Sequence, residues 1–123
     1  MISFELPFPP SNNQYYRNLP NGRVVISKRG RLYKKSVINI VNLLGLNRNP
    51  IDYPVTVRVE LHQPDNRKRD SDNFNKGMYD ALTNAKFWID DSLVIETQVR
   101  LLPKNEDPRA VVQVYADMES GFN

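Results

Sequence analysis

The sequence predicts a small α+β domain, one β-sheet packed with two α-helices. Three observations predict it. Apolar and polar residues alternate at 2–6, 55–62 and 93–102, the period of a half-buried strand. Apolar residues recur at helical spacing over 33–44 and 74–85. The order is strand, strand, helix, strand, helix, strand, strand, which lacks the regular interleaving of a doubly wound parallel sheet. At 123 residues the chain has the length of one domain, expected to span 1–123 without a linker or repeat. A chain of this size buries roughly two thirds of its unfolded surface, enough for one core.

Each element has its own justification. Ile2, Phe4 and Leu6 alternate with Ser3 and Glu5, and Pro7, Pro9 and Pro10 end the strand by removing ladder donors. Residues 11–19 are expected to form a polar, aromatic loop. Asn21-Gly22 is a turn signal, so Val24, Val25 and Ile26 read as a second short strand. Ser27 is placed to cap a helix whose stripe is Tyr33, Val37, Ile40, Val41 and Leu44, with Gly45 and Pro50 at its exit. Val55, Val57, Val59 and Leu61 face one way on the next strand, and Thr56, Arg58, Glu60 and His62 the other. Asp72 is the expected N-cap of a second helix with stripe Phe74, Met78, Ala81, Leu82 and Ala85, ending near 84–86. Phe87, Trp88 and Ile89 are expected to re-enter the core. Ile95, Val99 and Leu101 alternate with Glu96, Gln98 and Arg100 in a long strand, Val112 and Val114 mark the last one, and 118–123 is expected to fray.

Composition excludes several chemistries. There is no cysteine, hence no disulfide, zinc–thiolate site, iron–sulfur cluster or cysteine nucleophile. The lone His62 excludes a multi-histidine metal site within one chain and has no assigned role. No stretch approaches the ~18 apolar residues of a membrane span, and the first ten residues predict no secretory leader. The net charge of +3 is unevenly spread. Residues 1–48 carry eight basic side chains against Glu5 alone, whereas 49–123 carry nine against thirteen acidic ones. Lys28, Arg29, Arg31, Lys34 and Lys35 crowd the start of the first long helix, where cations oppose the helix dipole. That placement points to an anionic partner outside the chain.

The densest chemistry lies in Arg67-Lys68-Arg69-Asp70-Ser71-Asp72-Asn73 and on to Lys76. Asp70 and Asp72 at a strand–helix junction can converge on one hard cation, and Mg²⁺ takes one or two carboxylates plus waters and phosphate oxygens. Asp90-Asp91, beyond the same helix, can return a third carboxylate. At 100° per residue Asp72, Lys76 and Asp80 share one helix face, opposite the apolar stripe. An Asp–Lys pair at this spacing is ordinarily a surface ion pair worth about a few tenths of a kcal/mol. Beside a metal the lysine can instead offset charge on a phosphorane. A cation alone does not call for the basic triplet; a phosphodiester calls for both triplet and carboxylates. Asn12, Asn13 and Gln14 can hydrogen-bond phosphates or base edges, and Tyr15 and Tyr16 can stack on unpaired bases.

Taken in order, these motifs resemble a known family. Leu6-Pro7-Phe8-Pro9-Pro10-Ser11-Asn12-Asn13-Gln14-Tyr15-Tyr16-Arg17 resembles the opening of the RusA family of Holliday junction resolvases. So do Pro64-Asp65, Arg69-Asp70-Ser71-Asp72-Asn73, Lys76, Asp80-Ala81-Leu82 and Trp88-Ile89-Asp90-Asp91. The resemblance spans essentially the whole chain. It implies a mixed sheet with two helices, and a Mg²⁺-dependent endonuclease, with Mn²⁺ able to substitute. It further implies a homodimer that nicks two opposed strands of a four-way DNA junction, working in the bacterial cytoplasm and frequently carried by phages or prophages. The family's metal-site aspartates fall on Asp70, Asp72 and Asp91, and its essential lysine on Lys76. Its DNA-contacting segments fall on Asn13, Gln14, Tyr15, Tyr16 and Arg17, and on Asn66, Arg67, Lys68, Arg69 and Asn73. Two positions depart from its pattern: Ser71 stands where an apolar residue is usual, and Lys86 where glycine is usual.

The mechanism expected from this assignment is in-line attack of a metal-activated water on a DNA phosphodiester. Lys76 offsets phosphorane charge or assists the leaving 3′ oxygen. Arg67, Lys68 and Arg69 position phosphates. The alternatives are a nuclease preferring other branched DNA and a junction-binding protein that does not cut. A small-molecule phosphohydrolase ranks last, since no glycine-rich phosphate loop is present.

Overall fold

In a computed structural model that describes residues 1–117, the chain runs β1 (Ile2–Pro7), α1 (Asn12–Tyr15), β2 (Tyr16–Asn18), β3 (Val24–Ile26), α2 (Lys28–Leu44), β4 (Val55–His62), α3 (Asn75–Asn84), β5 (Val94–Leu102) and β6 (Arg109–Ala116). The stretch expected to fray, 118–123, lies outside the described residues. Four strands form one mixed sheet in the order β1, β6, β4, β5. β6 pairs antiparallel with β1 and β4, and β5 runs parallel to β4. A parallel step needs a crossover, and α3 supplies it. β2 and β3 make a separate hairpin. The α+β expectation therefore holds.

On β1, β4 and β6 the periodicities identify the apolar face of the core, although Thr56 on the opposite face of β4 is buried as well. Val55, Val57, Val59 and Leu61 are at most 1% exposed, and Phe4, Leu6, Val112 and Val114 extend their face on the neighbouring strands. α2 and α3 pack together on that face; the Tyr79 hydroxyl of α3 reaches the Thr97 hydroxyl of β5. Ser27 caps α2 by accepting the Gly30 N–H at 3.0 Å, and Gly45 ends it in the left-handed region at φ 69°. Leu44, expected in the apolar stripe, is 54% exposed. After Gly45 the Leu46 N–H returns to the Val41 carbonyl, and Leu46 packs against the core in its place.

Four further expectations are corrected. Residues 11–19 are not an irregular loop: they hold the single turn α1 and the strand β2. Asp72 does not cap the second helix. It lies in a 3-10 turn, Ser71–Asn73, and α3 starts only at Asn75, with Phe74 in the N-cap position. The core draws in the Phe74 ring, which meets Phe8 edge-on at 5.6 Å, and the backbone leaves helical geometry there. Ile89 is 61% exposed, because extended backbone alternates sides and Trp88 takes the inward position. Ile95 is exposed too: the β4–β5 register slips between Val55 and Thr56, leaving Ile95 as the extra residue of a bulge.

Lys86, where the family pattern has glycine, adopts φ 65° just after α3. A side chain there crowds the following carbonyl, which costs about 1 kcal/mol relative to glycine. Lys86→Gly is accordingly expected to stabilise the fold by about 1 kcal/mol in urea unfolding. An unchanged midpoint would show that the left-handed residue carries no strain.

Candidate active site

The site is built around α1, which lies between α2 and α3. Ser27 fastens it: its hydroxyl contacts the Gln14 carbonyl at 2.5 Å and the Tyr15 carbonyl at 3.0 Å, and its N–H donates to the Tyr15 carbonyl at 2.9 Å. On the other side Gly77 of α3 donates its N–H to the Asn12 side chain at 3.4 Å. Gln14 spends its side-chain oxygen on the Ser11 N–H, at 3.1 Å. Two glycines permit this closeness. A Cβ on Gly30 would collide with the Tyr15 carbonyl oxygen, and one on Gly77 would lie 2.6 Å from the Tyr15 ring. A glycine inside a helix costs about 1 kcal/mol relative to alanine; at Gly77 the reason for it is the ring beneath it.

The two tyrosines have separate fates. Tyr15 is fully buried, so it cannot stack on a base, and that expectation is withdrawn. Burial, and then the charge of Asp80, push its hydroxyl up to about 12. Tyr16 is half-buried. Its hydroxyl donates to the Asp80 carboxylate, and the Lys76 ammonium lies 4.7 Å from its ring centroid.

The acidic residues form two pairs. Asp70 and Asp72 face each other across the 3-10 turn, closed by the Asn73 N–H on the Asp70 carbonyl at 3.1 Å. Sharing of a proton with Asp72, and then repulsion from its charge, raise Asp70 above the ordinary carboxylate value. Asp91 sits in a second 3-10 turn, Asp91–Leu93, at the entrance to β5. Burial raises it first, followed by the charge of Asp80 and a proton shared with it. Asp90 accepts a 2.5 Å bond from the Ser92 hydroxyl, and its charge adds to the rise of Asp91. Lys76 and Asp80 share α3 at four-residue spacing, one helical turn apart, whereas Asp72 lies before the helix in the 3-10 turn and is not on that face by helix geometry. Asp91 thus joins Asp80, and no three acidic or histidine side chains gather as one metal-holding group among the described residues.

A cleft of about 500 Å³ opens beside Asp70. Arg67, Lys68, Arg69 and Asn73 line it as the sequence suggested, joined by Arg29 from the first turn of α2. Arg29 is not among the DNA-contacting residues the resemblance implies, but it is one of the cations whose place against the helix dipole points to an anionic partner. Arg69 is largely structural here: it pairs with Asp65 at 2.8 Å, bonds Gln63 at 3.3 Å, and covers the Phe8 ring at 5.4 Å. Arg67 is more loosely held, 3.7 Å from Asp65 and 81% exposed. Asn66 lies exposed on the same loop. Across α1 a second cleft of about 420 Å³ is lined by Asn13, Tyr16, Arg17 and Lys76.

The donor set suits a hard divalent cation. Asp70, Asp72, Asp80 and Asp91 make no ion pair among the described residues, although basic side chains line the adjoining cleft. Uncompensated carboxylates that raise one another's proton affinity are what a cation relieves, and Mg²⁺ needs only one or two of them.

Comparison with known proteins agrees with this geometry. The family model described as Endodeoxyribonuclease RusA matches residues 7–115. A protein of Shigella sonnei (strain Ss046) named Crossover junction endodeoxyribonuclease RusA is 43% identical over 107 residues, covering 87% of this chain and 88% of the relative. One of the same name from Escherichia coli (strain K12) is 42% identical over 107 residues, with the same coverage. Another, from Enterobacteria phage 82, is 43% identical over 104 residues, 85% of each chain. The matched span takes in α1, both carboxylate pairs and Lys76, and on that extent the chain belongs to the RusA family of endodeoxyribonucleases.

Proposed function

We propose that the chain is a crossover junction endodeoxyribonuclease, a hydrolase that nicks opposed strands of four-way DNA junctions as a Mg²⁺-dependent homodimer. One observation carries the reading: in a chain of this family, Asp70, Asp72, Asp80 and Asp91 make no ion pair among the described residues, and Asp70 lines a cleft that also holds Arg29, Arg67, Lys68 and Arg69. Such a surface repels a polyanion at one point and attracts it around that point, which suits a phosphodiester brought in with a cation. Asp70 and Asp72 would hold Mg²⁺, with Asp91 as the third carboxylate. When bound, the cation supplies polarisation of the phosphate and a water of lowered pKa.

The chain's own residues do the rest. Lys76 supplies the positive charge that offsets the charge developing on phosphorus. Lys68, Arg67 and Arg29 hold the flanking phosphates, and Arg69 fixes the loop that carries them. Asn13 and Arg17 extend the contact on the other side of α1. A junction has near-twofold symmetry, so two chains place one site on each opposed strand. No helix among the described residues is long and apolar enough to cross a membrane; the reading puts the enzyme in the cytoplasm of a bacterial host.

The test is strand cleavage of a four-way junction with a mobile core, beside a replication fork and a linear duplex of the same sequence. Paired symmetric nicks on the junction, abolished by EDTA, are expected. Tight binding without cutting in Mg²⁺ or Mn²⁺ would make the chain a binding protein instead, and equal cutting of the fork would broaden its substrate. Arg29→Ala is expected to weaken junction binding several-fold at low salt and lower the log–log salt slope by about 1, as loss of one phosphate contact does. Binding titrations at several salt concentrations check it, and an unchanged slope would remove Arg29 from the interface.

A further inference from the structure

Lys76 and Asp80 stand four residues apart on α3, the spacing at which lysine and aspartate ordinarily meet on a helix surface. They make no ion pair. The Tyr16 side chain, delivered from the end of α1, occupies both of them: its hydroxyl donates to the Asp80 carboxylate, and its ring carries the Lys76 ammonium at 4.7 Å from the centroid. We infer that Tyr16 is a positioning residue that insulates Lys76 from Asp80, keeping the ammonium unneutralised and aimed for phosphate. The inference rests on the nuclease reading and assigns Tyr16 a role other than stacking on DNA bases.

Three features support the spacer over the stacking role. The ring is already engaged on two sides, with Tyr15 and the Lys76 ammonium each 4.7 Å from its centroid, which leaves little surface for a base. The neighbour on one side is immobile: Tyr15, whose ring packs against that of Tyr16, is fully buried and seated on Gly77. An ammonium over a ring keeps its full charge, whereas one paired with a carboxylate has little left to offer an incoming phosphate.

The test compares the wild type, Tyr16→Phe, Tyr16→Leu and the double variant Tyr16→Leu/Asp80→Asn. Three quantities are read: the ¹H–¹³C resonance of the Lys76 ε-methylene in lysine-labelled protein, junction affinity in EDTA, and the Mg²⁺-dependent cutting rate at saturating enzyme. A ring under Lys76 shifts its ε protons upfield, so that shift is expected in the wild type and Tyr16→Phe and lost in Tyr16→Leu. Cutting is expected to stay within about fivefold for Tyr16→Phe and to fall about a hundredfold for Tyr16→Leu, the scale of a misplaced catalytic group. Asp80→Asn in the leucine background should recover about tenfold by removing the carboxylate that captures Lys76. Junction affinity in EDTA should change by several-fold at most, far less than cutting does, so that the loss lies in the chemical step.

A Tyr16→Leu protein that cuts like the wild type overturns the inference. So does a loss carried wholly by junction affinity, which would return Tyr16 to the DNA-contacting set. An equal fall in Tyr16→Phe would move the role from ring to hydroxyl and overturn the spacer as well. If the leucine variant fails to fold, an unshifted Lys76 resonance in the wild type still refutes the geometry. A wild type that cuts no junction sinks the nuclease reading instead, and the Lys76 resonances decide the spacer on their own.

Discussion

Asp70→Asn is expected to abolish junction cutting while leaving junction binding intact or tighter. Asparagine keeps the shape of the side chain and one acceptor oxygen but loses the charge that would hold a divalent cation. Loss of one positioned electrostatic group typically lowers a rate by about a hundredfold to a thousandfold, and a metal ligand should sit at or above the top of that range. Binding moves the other way: the exposed Asp70–Asp72 pair repels DNA phosphates in the absence of metal, and the variant removes half of it. Affinity in EDTA and cutting in Mg²⁺, measured on one junction, separate the two effects. Full cutting by the variant would reduce Asp70 to a turn residue.

The same substitution has a consequence for stability. Asp70 binds its proton more readily in the folded chain than in the unfolded one, because Asp72 shares that proton and repels the anion. The ionised pair therefore works against the fold at neutral pH, and this disadvantage vanishes as pH falls through the raised value toward the ordinary carboxylate range. Asp70→Asn should raise the metal-free melting temperature at pH 7, with the difference closing as the buffer is acidified. That sign is what a binding site predicts: carboxylates kept together against their own repulsion contribute to ligand capture and not to stability.

How much of this was legible in the sequence depended on where each residue's partner lies. β4, α2 and the apolar stripe of α3 could be read because one period runs along each, and the core accepts that period. Asp70 and Asp72 could be read because they are two residues apart in a segment dense with charge. α1 and β2 could not. Residues 12–18 carry no period, and their shape is set from outside, by the Ser27 hydroxyl on two carbonyls and by Asn12 against Gly77, 65 residues away. The start of α3 was misread for a related reason: aspartate is a good cap, but the Phe74 ring belongs in the core and shifts the helix onset beyond it. Helix geometry placed Asp80 on the face of Lys76, yet only the fold shows Tyr16 between them, 64 residues from Asp80 in sequence.

The two glycines beneath Tyr15 give the second large expectation, and its sign separates two accounts of Gly77. Helix propensity alone predicts that Gly77→Ala stabilises the protein by about 1 kcal/mol, since glycine is that much worse than alanine inside a helix. Packing predicts the reverse. The new methyl would lie 2.6 and 2.7 Å from two atoms of the Tyr15 ring, which is fully buried and has no room to retreat. Overpacking of this kind costs about 1–3 kcal/mol, so a net loss of up to about 2 kcal/mol is expected after the propensity gain is deducted. Gly30→Ala should be worse, by about 3 kcal/mol or more, because its methyl meets the Tyr15 backbone carbonyl and a backbone cannot change rotamer. To relieve that contact α1 must lift from α2, breaking its bonds to Ser27. Tyr16 moves with α1, so cutting by whatever fraction of either variant remains folded should fall about a hundredfold, as for a catalytic group displaced by about 1 Å. Urea unfolding and single-turnover cutting check the pair. A Gly77→Ala protein more stable than the wild type, with undiminished cutting, would mean that the Tyr15 ring yields and that α1 does not hold the site in register.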